Sequence, residues 1–378
     1  MRIKEPPAAA ELSWADVHSF RLARHHLLER APKARLTQVV GDIGGAQAQV
    51  MSTAELQIAV RVDCTVEDVR EALWKKKSLV KTWLMRGTLH LIPSKDLPMF
   101  AAAMGAHGLR NLNAWLKYLQ VNEAQLTKLF DSIDGALNGS PMTREELIAA
   151  VGRDQPEPVL RILRSGWGGV LKPAARRGQL CFGPNRGQSV TFVRPQAWLG
   201  TWKEMDPEKA TVAAAERYLS AYGPATKQDF TRWWGAWLGV GTAAWKALDE
   251  KVVTVSVEGQ KVQMLGEDLK RLRKNSQRPS VQLLPGFDPY LMGHATRDHL
   301  FDKIHRWKVS RVAGWISPVV LVDGRVLGVW SHTVAKQKVR VELKPFASLP
   351  ARVVKAAGER AETIAGALGA KLEKFSVA

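Results

Sequence analysis

Two glutamines, Gln47 and Gln49, stand two positions apart in the stretch Gly44-Gly45-Ala46-Gln47-Ala48-Gln49-Val50-Met51. On extended backbone successive side chains point to opposite faces, so the two carboxamides would share one face and Ala48 would take the other. Such a pair offers carbonyl acceptors and N–H donors together, and can hold and orient a water molecule without carrying charge. The glycine pair ahead of it lets the backbone turn tightly or approach another group closely. Taken alone, Gln-Ala-Gln is a short polar motif that an ordinary loop also carries, and its local chemistry leaves both readings open.

The surrounding elements must position these amides. From Ser13, a candidate N-cap, the apolar residues Trp14, Val17, Phe20, Ala23, Leu27 and Leu28 recur at helical spacing. A shorter helix near 36–40 leads into the glycines. Ser52-Thr53-Ala54-Glu55 and Thr65-Val66-Glu67-Asp68 both carry the capping-box signature of a helix start. A hairpin over 80–92, bent at Gly87, follows Lys75, Lys76 and Lys77. Helices closed by a basic two-stranded hairpin predict a winged helix-turn-helix. The pattern recurs with helices at 126–137, from Thr143 and at 159–163, then a hairpin of 179–182 and 189–193 approached through Lys172, Arg176 and Arg177. A third copy runs over 209–265. Ser140-Pro141-Met142-Thr143 and Gly223-Pro224-Ala225-Thr226 open corresponding helices in the second and third copies, which favours tandem units.

Lys270-Arg271-Leu272-Arg273-Lys274 reads as a charged link, and the composition changes beyond it. Segments 281–284, 315–322, 325–330 and 338–343 are rich in β-branched and aromatic residues, with an Asp323-Gly324 turn. They predict a small β-barrel, followed by a helix over 350–366 and a strand over 371–376. The expected fold class is α+β: three winged helix-turn-helix units at 1–120, 121–205 and 206–275, then a C-terminal β-barrel at 276–378.

The chain has 378 residues, 46% of them hydrophobic, and 55 Lys and Arg against 36 Asp and Glu give a net charge of +19. That balance exceeds what solubility requires and points to a polyanionic partner, nucleic acid first. For Lys75, Lys76, Lys77, Arg176 and Arg177 individually, DNA contact and solvated surface are both open readings. Cys64 and Cys181 fit neither a zinc spacing nor a disulfide framework, which suggests a reducing compartment. No signal-peptide core and no apolar run of about 20 residues is seen, so the expectation is a cytoplasmic protein near the nucleoid. His294, Asp298, His299, Asp302 and His305 match no standard zinc spacing, so no metal is expected. Neither Gly166-Trp167-Gly168-Gly169 nor the loop at Gly183 opens a phosphate-cradling helix, and no nucleotide cofactor is expected. Trp233, Trp234 and Trp237 are expected to pack the third unit, and His90 to be structural.

The stretch at Gln47 resembles the Gln-apolar-Gln motif of the AlkZ/YcaQ-like winged-helix DNA glycosylases. Trp83-Leu84-Met85-Arg86-Gly87-Thr88-Leu89-His90-Leu91-Ile92-Pro93 looks like that family's first wing. Leu283-Leu284-Pro285-Gly286-Phe287-Asp288-Pro289-Tyr290-Leu291 and Gly314-Trp315-Ile316-Ser317-Pro318-Val319-Val320 are similar to its C-terminal signatures. One branch of the family has Asp at the second amide position. Glutamine at both positions makes this chain resemble the azinomycin-resistance branch.

The resemblance implies hydrolysis of the N-glycosidic bond of cationic N7-alkylguanine in double-stranded DNA, with interstrand crosslinks as further substrates. Gln47 and Gln49 would bind and orient the water. No lysine adjoins the amides, so no Schiff-base lyase step is expected. DNA contacts are expected from Lys75, Lys76, Lys77, Arg86, Arg176, Arg177, Asp288 and Arg297, the last two following from a C-terminal hairpin that the resemblance places close to the lesion. The protein is expected to work as a monomer without cofactor. The rival reading is a non-catalytic winged-helix DNA-binding or regulatory protein, in which both glutamines are loop residues.

Overall fold

The computed structural model describes residues 8–105, 111–235, 238–274 and 277–378. Its contacts group the chain into two compact units, Met1–Arg70 with Ala215–Ala378, and Glu71–Ala214. The fold is mixed α+β.

In the Glu71–Ala214 unit, Leu79–Trp83 pairs antiparallel with Leu89–Pro93, in a register from Leu79 opposite Pro93 to Trp83 opposite Leu89. The bend between them puts Arg86 (φ 57°) and Gly87 (φ 69°) in the left-handed region. Helices Glu123–Ala136 and Arg144–Val151 start at full capping boxes, Asn122 with Gln125 and Thr143 with Glu146. Helices Glu157–Arg164 and Leu171–Arg176 follow, then the hairpin Cys181–Arg186 and Ser189–Val193, to whose second strand Met142–Thr143 adds. Their apolar faces meet around Trp83, which lies edge-on to Phe182 with ring centroids 4.7 Å apart. Of the Gly166–Gly169 run, Gly168 and Gly169 belong to this packing, whereas Trp167 is 80% exposed. Gly168 has φ +74°, and a Cβ on it would lie 2.6 Å from the Trp83 ring. Side-chain crowding explains the glycine there without a phosphate.

In the other unit, Ser13 and Asp16 form a capping box for helix Trp14–Arg24, and Leu36–Asp42, Met51–Ala59 and Val66–Arg70 follow. The expected capping box at Ser52–Glu55 is not used: the helix begins at Met51, after Val50, with no side-chain cap. Thr65 and Asp68 do exchange their capping bonds. Thr226 and Asp229 cap Lys227–Trp234, where Trp233 and Trp234 are buried; Trp237 lies outside the described residues. Val252–Val257 and Gln260–Leu265 form a hairpin, and Glu11–Leu12 runs parallel to its first strand. Residues 270–274, expected as a charged link, are instead the end of helix Gly266–Lys274, which buries Leu269 and Leu272. Two apolar positions three apart suffice to seat one helical face despite the charge around them.

The C-terminal strands form an open sheet, not the expected closed barrel. The order is Val281–Leu284, Val319–Val322, Arg325–Ala335, Lys338–Pro345 and Lys371–Val377, and among the described residues its two edge strands do not pair. Helix Ala351–Ala367 carries the chain back so that the last strand joins parallel to its neighbour. That helix and Leu22, Leu27 and Leu56 of the N-terminal segment bury the sheet's apolar residues. The apolar face is therefore covered without the sheet closing on itself.

A buried cation organises the middle of this unit. Arg21 donates to the Pro224 carbonyl (2.7 Å), to His294 Nε2 (2.7 Å) and to His299 Nε2 (3.2 Å). His18 accepts from the Tyr290 hydroxyl at 3.2 Å and donates to the His299 carbonyl at 3.1 Å. Burial, reinforced by Arg21, lowers His18 to about 3 and His299 to about 2, so both stay neutral. The unfolded chain takes up these protons below its ordinary histidine pKa and the folded chain does not. Stability is therefore complete above about pH 6.5 and falls as pH drops from there toward the folded-state values. At pH 5.5 the pair is expected to cost about 2–3 kcal/mol. Denaturant melts at pH 7.5 and 5.5 should show the loss, and His18→Gln with His299→Gln should remove this pair's share of it, leaving the share of the other buried histidines His25, His90 and His294.

Candidate active site

Helix Leu36–Asp42 ends in a left-handed turn, with Gly44 N–H on the Gly41 carbonyl (3.0 Å) and Gly45 N–H on the Val40 carbonyl (2.9 Å). Both glycines have positive φ, 71° and 93°. Gly44 is also crowded: a Cβ there would lie 3.3 Å from the Trp233 and Tyr222 rings, and the Tyr222 hydroxyl donates to the Ile43 carbonyl at 2.8 Å. The backbone leaves this turn as the short strand Ala46–Gln47.

The motif is buried through Ala48 and opens to solvent only at Gln49. Ala46 and Ala48 are 0% and 1% exposed, Gln47 is 6% exposed, and Gln49 is exposed. Only Ala46–Gln47 is strand, and Gln49 follows at a bend.

A buried polar chain holds the motif from behind. Gln57, on helix Met51–Ala59 and 0% exposed, donates from Nε2 to the Gln47 carbonyl (3.3 Å) and the Gly286 carbonyl (2.9 Å). Its backbone carbonyl accepts from Arg61 Nη1 at 2.7 Å. Arg61 grips Asp288 with both arms, Nη1 to Oδ2 at 2.8 Å and Nη2 to Oδ1 at 2.6 Å, and neither side chain reaches solvent. Asp288 Oδ1 also accepts the Tyr290 N–H at 2.9 Å, capping helix Pro289–Met292. One connected network thus joins the amide motif to the Leu283–Leu291 signature.

This geometry corrects the expectation for Asp288. It is 0% exposed with both oxygens engaged, so it anchors the fold and does not face DNA. Arg297 is likewise turned inward, donating to the Leu291 carbonyl at 2.7 Å and to the Ser310 hydroxyl at 3.1 Å. The other buried carboxylate on the neighbouring helix, Glu55, is clamped by Arg70 at 2.7 and 3.0 Å. Neither Glu55 nor Asp288 is presented as a general base. Among the described residues no cluster of His, Cys, Asp and Glu could hold a metal. His294 and His299 serve Arg21, Asp302 pairs with Arg325, Asp298 with Lys303, and His305 stacks on Phe346.

The remaining basic candidates lie in the Glu71–Ala214 unit. Lys75, Lys76 and Arg177 are exposed, Lys76 being 3.7 Å from Glu71. The Lys77 ammonium sits over the Trp198 ring at 3.8 Å and Arg177 over Phe130 at 4.6 Å. Arg176 is half-buried, and desolvation lowers its pKa. It reaches the tip of the first hairpin, where a Cβ on Gly87 would lie 3.4 Å from its Nη2. Arg86 stands beside that glycine, and burial, with Arg86 as the second cause, lowers His90 to about 3. Arg86, Lys172 and Arg176 are thus gathered at one hairpin tip.

Gln57 and Arg61 were not singled out by sequence reasoning. A signal existed for Arg61: it interrupts the apolar run Ile58-Ala59-Val60-Arg61-Val62, where an arginine must find a buried partner.

Comparison with known proteins agrees with this architecture. Residues 40–374 match the family model described as DNA glycosylase AlkZ-like. The interstrand DNA cross-link repair glycosylase of Streptomyces sahachiroi is 37% identical over 371 residues, covering 94% of this chain and 97% of the relative. The solved structure of S. sahachiroi DNA glycosylase AlkZ superposes with a TM-score of 0.87 at 35% identity, covering 97% of this chain and all of that one. The chain belongs to the AlkZ-like DNA glycosylase family.

Proposed function

We propose that the chain is a monofunctional DNA glycosylase that hydrolyses the N-glycosidic bond of N7-alkylated guanine, with Gln47 and Gln49 orienting the attacking water. The observation that carries this reading is the motif itself: Gln47 is buried with its backbone carbonyl tied down by Gln57, and Gln49, two positions on, is open to solvent. Alkylation at N7 makes guanine a cationic leaving group that departs neutral, so strong acid catalysis is not needed. What remains is to place a water against C1′ as an oxocarbenium-like centre develops. A neutral amide is a poor base but sufficient for that task, and this weakness spares unmodified guanine. The S. sahachiroi relative is named for interstrand cross-link repair, and we extend that substrate class to this chain. Release of free N7-methylguanine from duplex DNA, leaving a site that breaks only after alkali, tests the assignment. Strand breakage without alkali would contradict the monofunctional reading, and no release at all would favour a binding protein.

We further read the helix-and-hairpin segments within 1–120, 121–205 and 206–275 as winged-helix units that track DNA phosphates with Lys75, Lys76, Lys77, Arg86, Arg176 and Arg177, and the protein as a cytoplasmic monomer. The net charge of +19 supports this. Among the described residues no helix is long and apolar enough to cross a membrane. If about six phosphates are neutralised, affinity should fall about 1000-fold between 50 and 200 mM salt. Anisotropy titrations across that range would measure the slope, and a flat response would count against phosphate tracking.

A further inference from the structure

A second surface on the unit that carries the glutamines has the chemistry of a base-stacking platform. Trp307 is 70% exposed, Trp315 44% and Val312 91%, and they line an open groove of about 910 Å³ with Lys308, Arg311 and Lys344. Large apolar side chains are seldom left this open on a folded surface without a partner. No acidic residue lines the groove; Lys344 is met from outside it by Glu342 at 2.9 Å. The Lys308 ammonium lies 5.5 Å from the Trp307 ring centroid.

The groove wall is tied together by internal contacts. Arg311 N–H donates to the Trp315 carbonyl at 2.8 Å, Ser310 bridges Ile316, and Trp315 packs edge-on to Phe287 at 5.0 Å. Packing at Gly286 joins Ile316, next to Trp315, to the helix that follows the amide motif. A Cβ on Gly286 would lie 2.9 Å from the Ile316 carbonyl and 3.7 Å from Thr53, four residues beyond Gln49. Gly286 is in addition the second acceptor of Gln57. Positive charge favours a polyanion, and flat exposed rings favour the face of an unstacked base.

We propose that the Trp307–Trp315 groove binds an unpaired nucleobase of the DNA on which the glutamines act, stacking it on indole while Lys308 and Arg311 meet the adjoining phosphates. This deepens, and rests on, the glycosylase reading. The test uses the full chain and two duplexes of equal length, one fully paired and one carrying 2-aminopurine opposite an abasic analogue. Wild type should bind the second about tenfold more tightly and quench its fluorescence, and Trp307→Ala or Trp315→Ala should erase that preference while changing fully paired affinity less than about twofold. Trp307→Phe should keep most of it. Circular dichroism confirms that each variant is folded.

Equal binding of both duplexes by wild type, or an undiminished preference in both alanine variants, would overturn the proposal. So would a dimer that Trp307→Ala dissolves, which would assign the face to a second copy of the chain. Base release measured in parallel separates the two readings: a retained Trp-dependent preference without any base release supports the groove and overturns the glycosylase assignment.

Discussion

Gln47→Ala and Gln49→Ala are each expected to slow N7-methylguanine release by about 100-fold or more, while affinity for the same duplex stays within about twofold of wild type. The split follows from the proposed roles: a positioned water would matter at the transition state, whereas DNA would be held by the basic surface. Two amides sharing one water act as a unit, so the double variant should be little worse than either single one. Gln57→Leu keeps the volume of a side chain that is 0% exposed but removes the donor to the Gln47 and Gly286 carbonyls. Freed by a fraction of an ångström, the motif should lose about 10- to 100-fold in rate without loss of DNA binding. Single-turnover kinetics with protein in excess separate rate from affinity.

Arg61→Met should destabilise the fold by about 3–5 kcal/mol, because it strands the Asp288 carboxylate inside the fold. Both partners are 0% exposed and share two hydrogen bonds of 2.8 and 2.6 Å. Removing both charges together, as Arg61→Met with Asp288→Leu, leaves no unpaired ion and should recover most of that loss, less the cap on Tyr290. Urea melts of the two single variants and the double variant make the comparison. Equal destabilisation by the single and the double would show that the ion pair itself, not the stranded charge, carries the stability.

Local signals were the legible ones. The capping residues Ser13, Thr65, Thr143 and Thr226 each act within three residues, so their helices could be read directly. The false start at Ser52–Glu55 has the same residue types, and only the chain direction out of Gln49 and Val50 decides against it. Asp288 and Arg61 are 227 positions apart, and nothing local tells an acid before proline that its partner is a buried arginine rather than solvent or DNA. The sheet was read as a barrel because strand-forming residues do not reveal which edges meet. Here the return through Ala351–Ala367 makes the last pairing parallel and leaves the edges open. The charged run at 270–274 hid a helix because Leu269 and Leu272 are the only apolar residues on its buried face, beside Asp268. The amide motif was visible from the start, and its support, Gln57, was not, since an isolated glutamine in a helix looks like any surface residue.

On the proposed reading, uncharged amides, not a titrating acid or base, steer the water. Amides do not ionise near neutrality, and the buried carboxylates Glu55 and Asp288 are committed to arginines. The most direct test is the single-turnover rate of base release at saturating protein from pH 6.5 to 9, for wild type and for Gln47→Ala with Gln49→Ala. The account predicts a wild-type rate flat to within about twofold and a variant about 100-fold slower throughout. A rate that climbs or falls about tenfold per pH unit anywhere in that window, or a variant as fast as wild type, would contradict it.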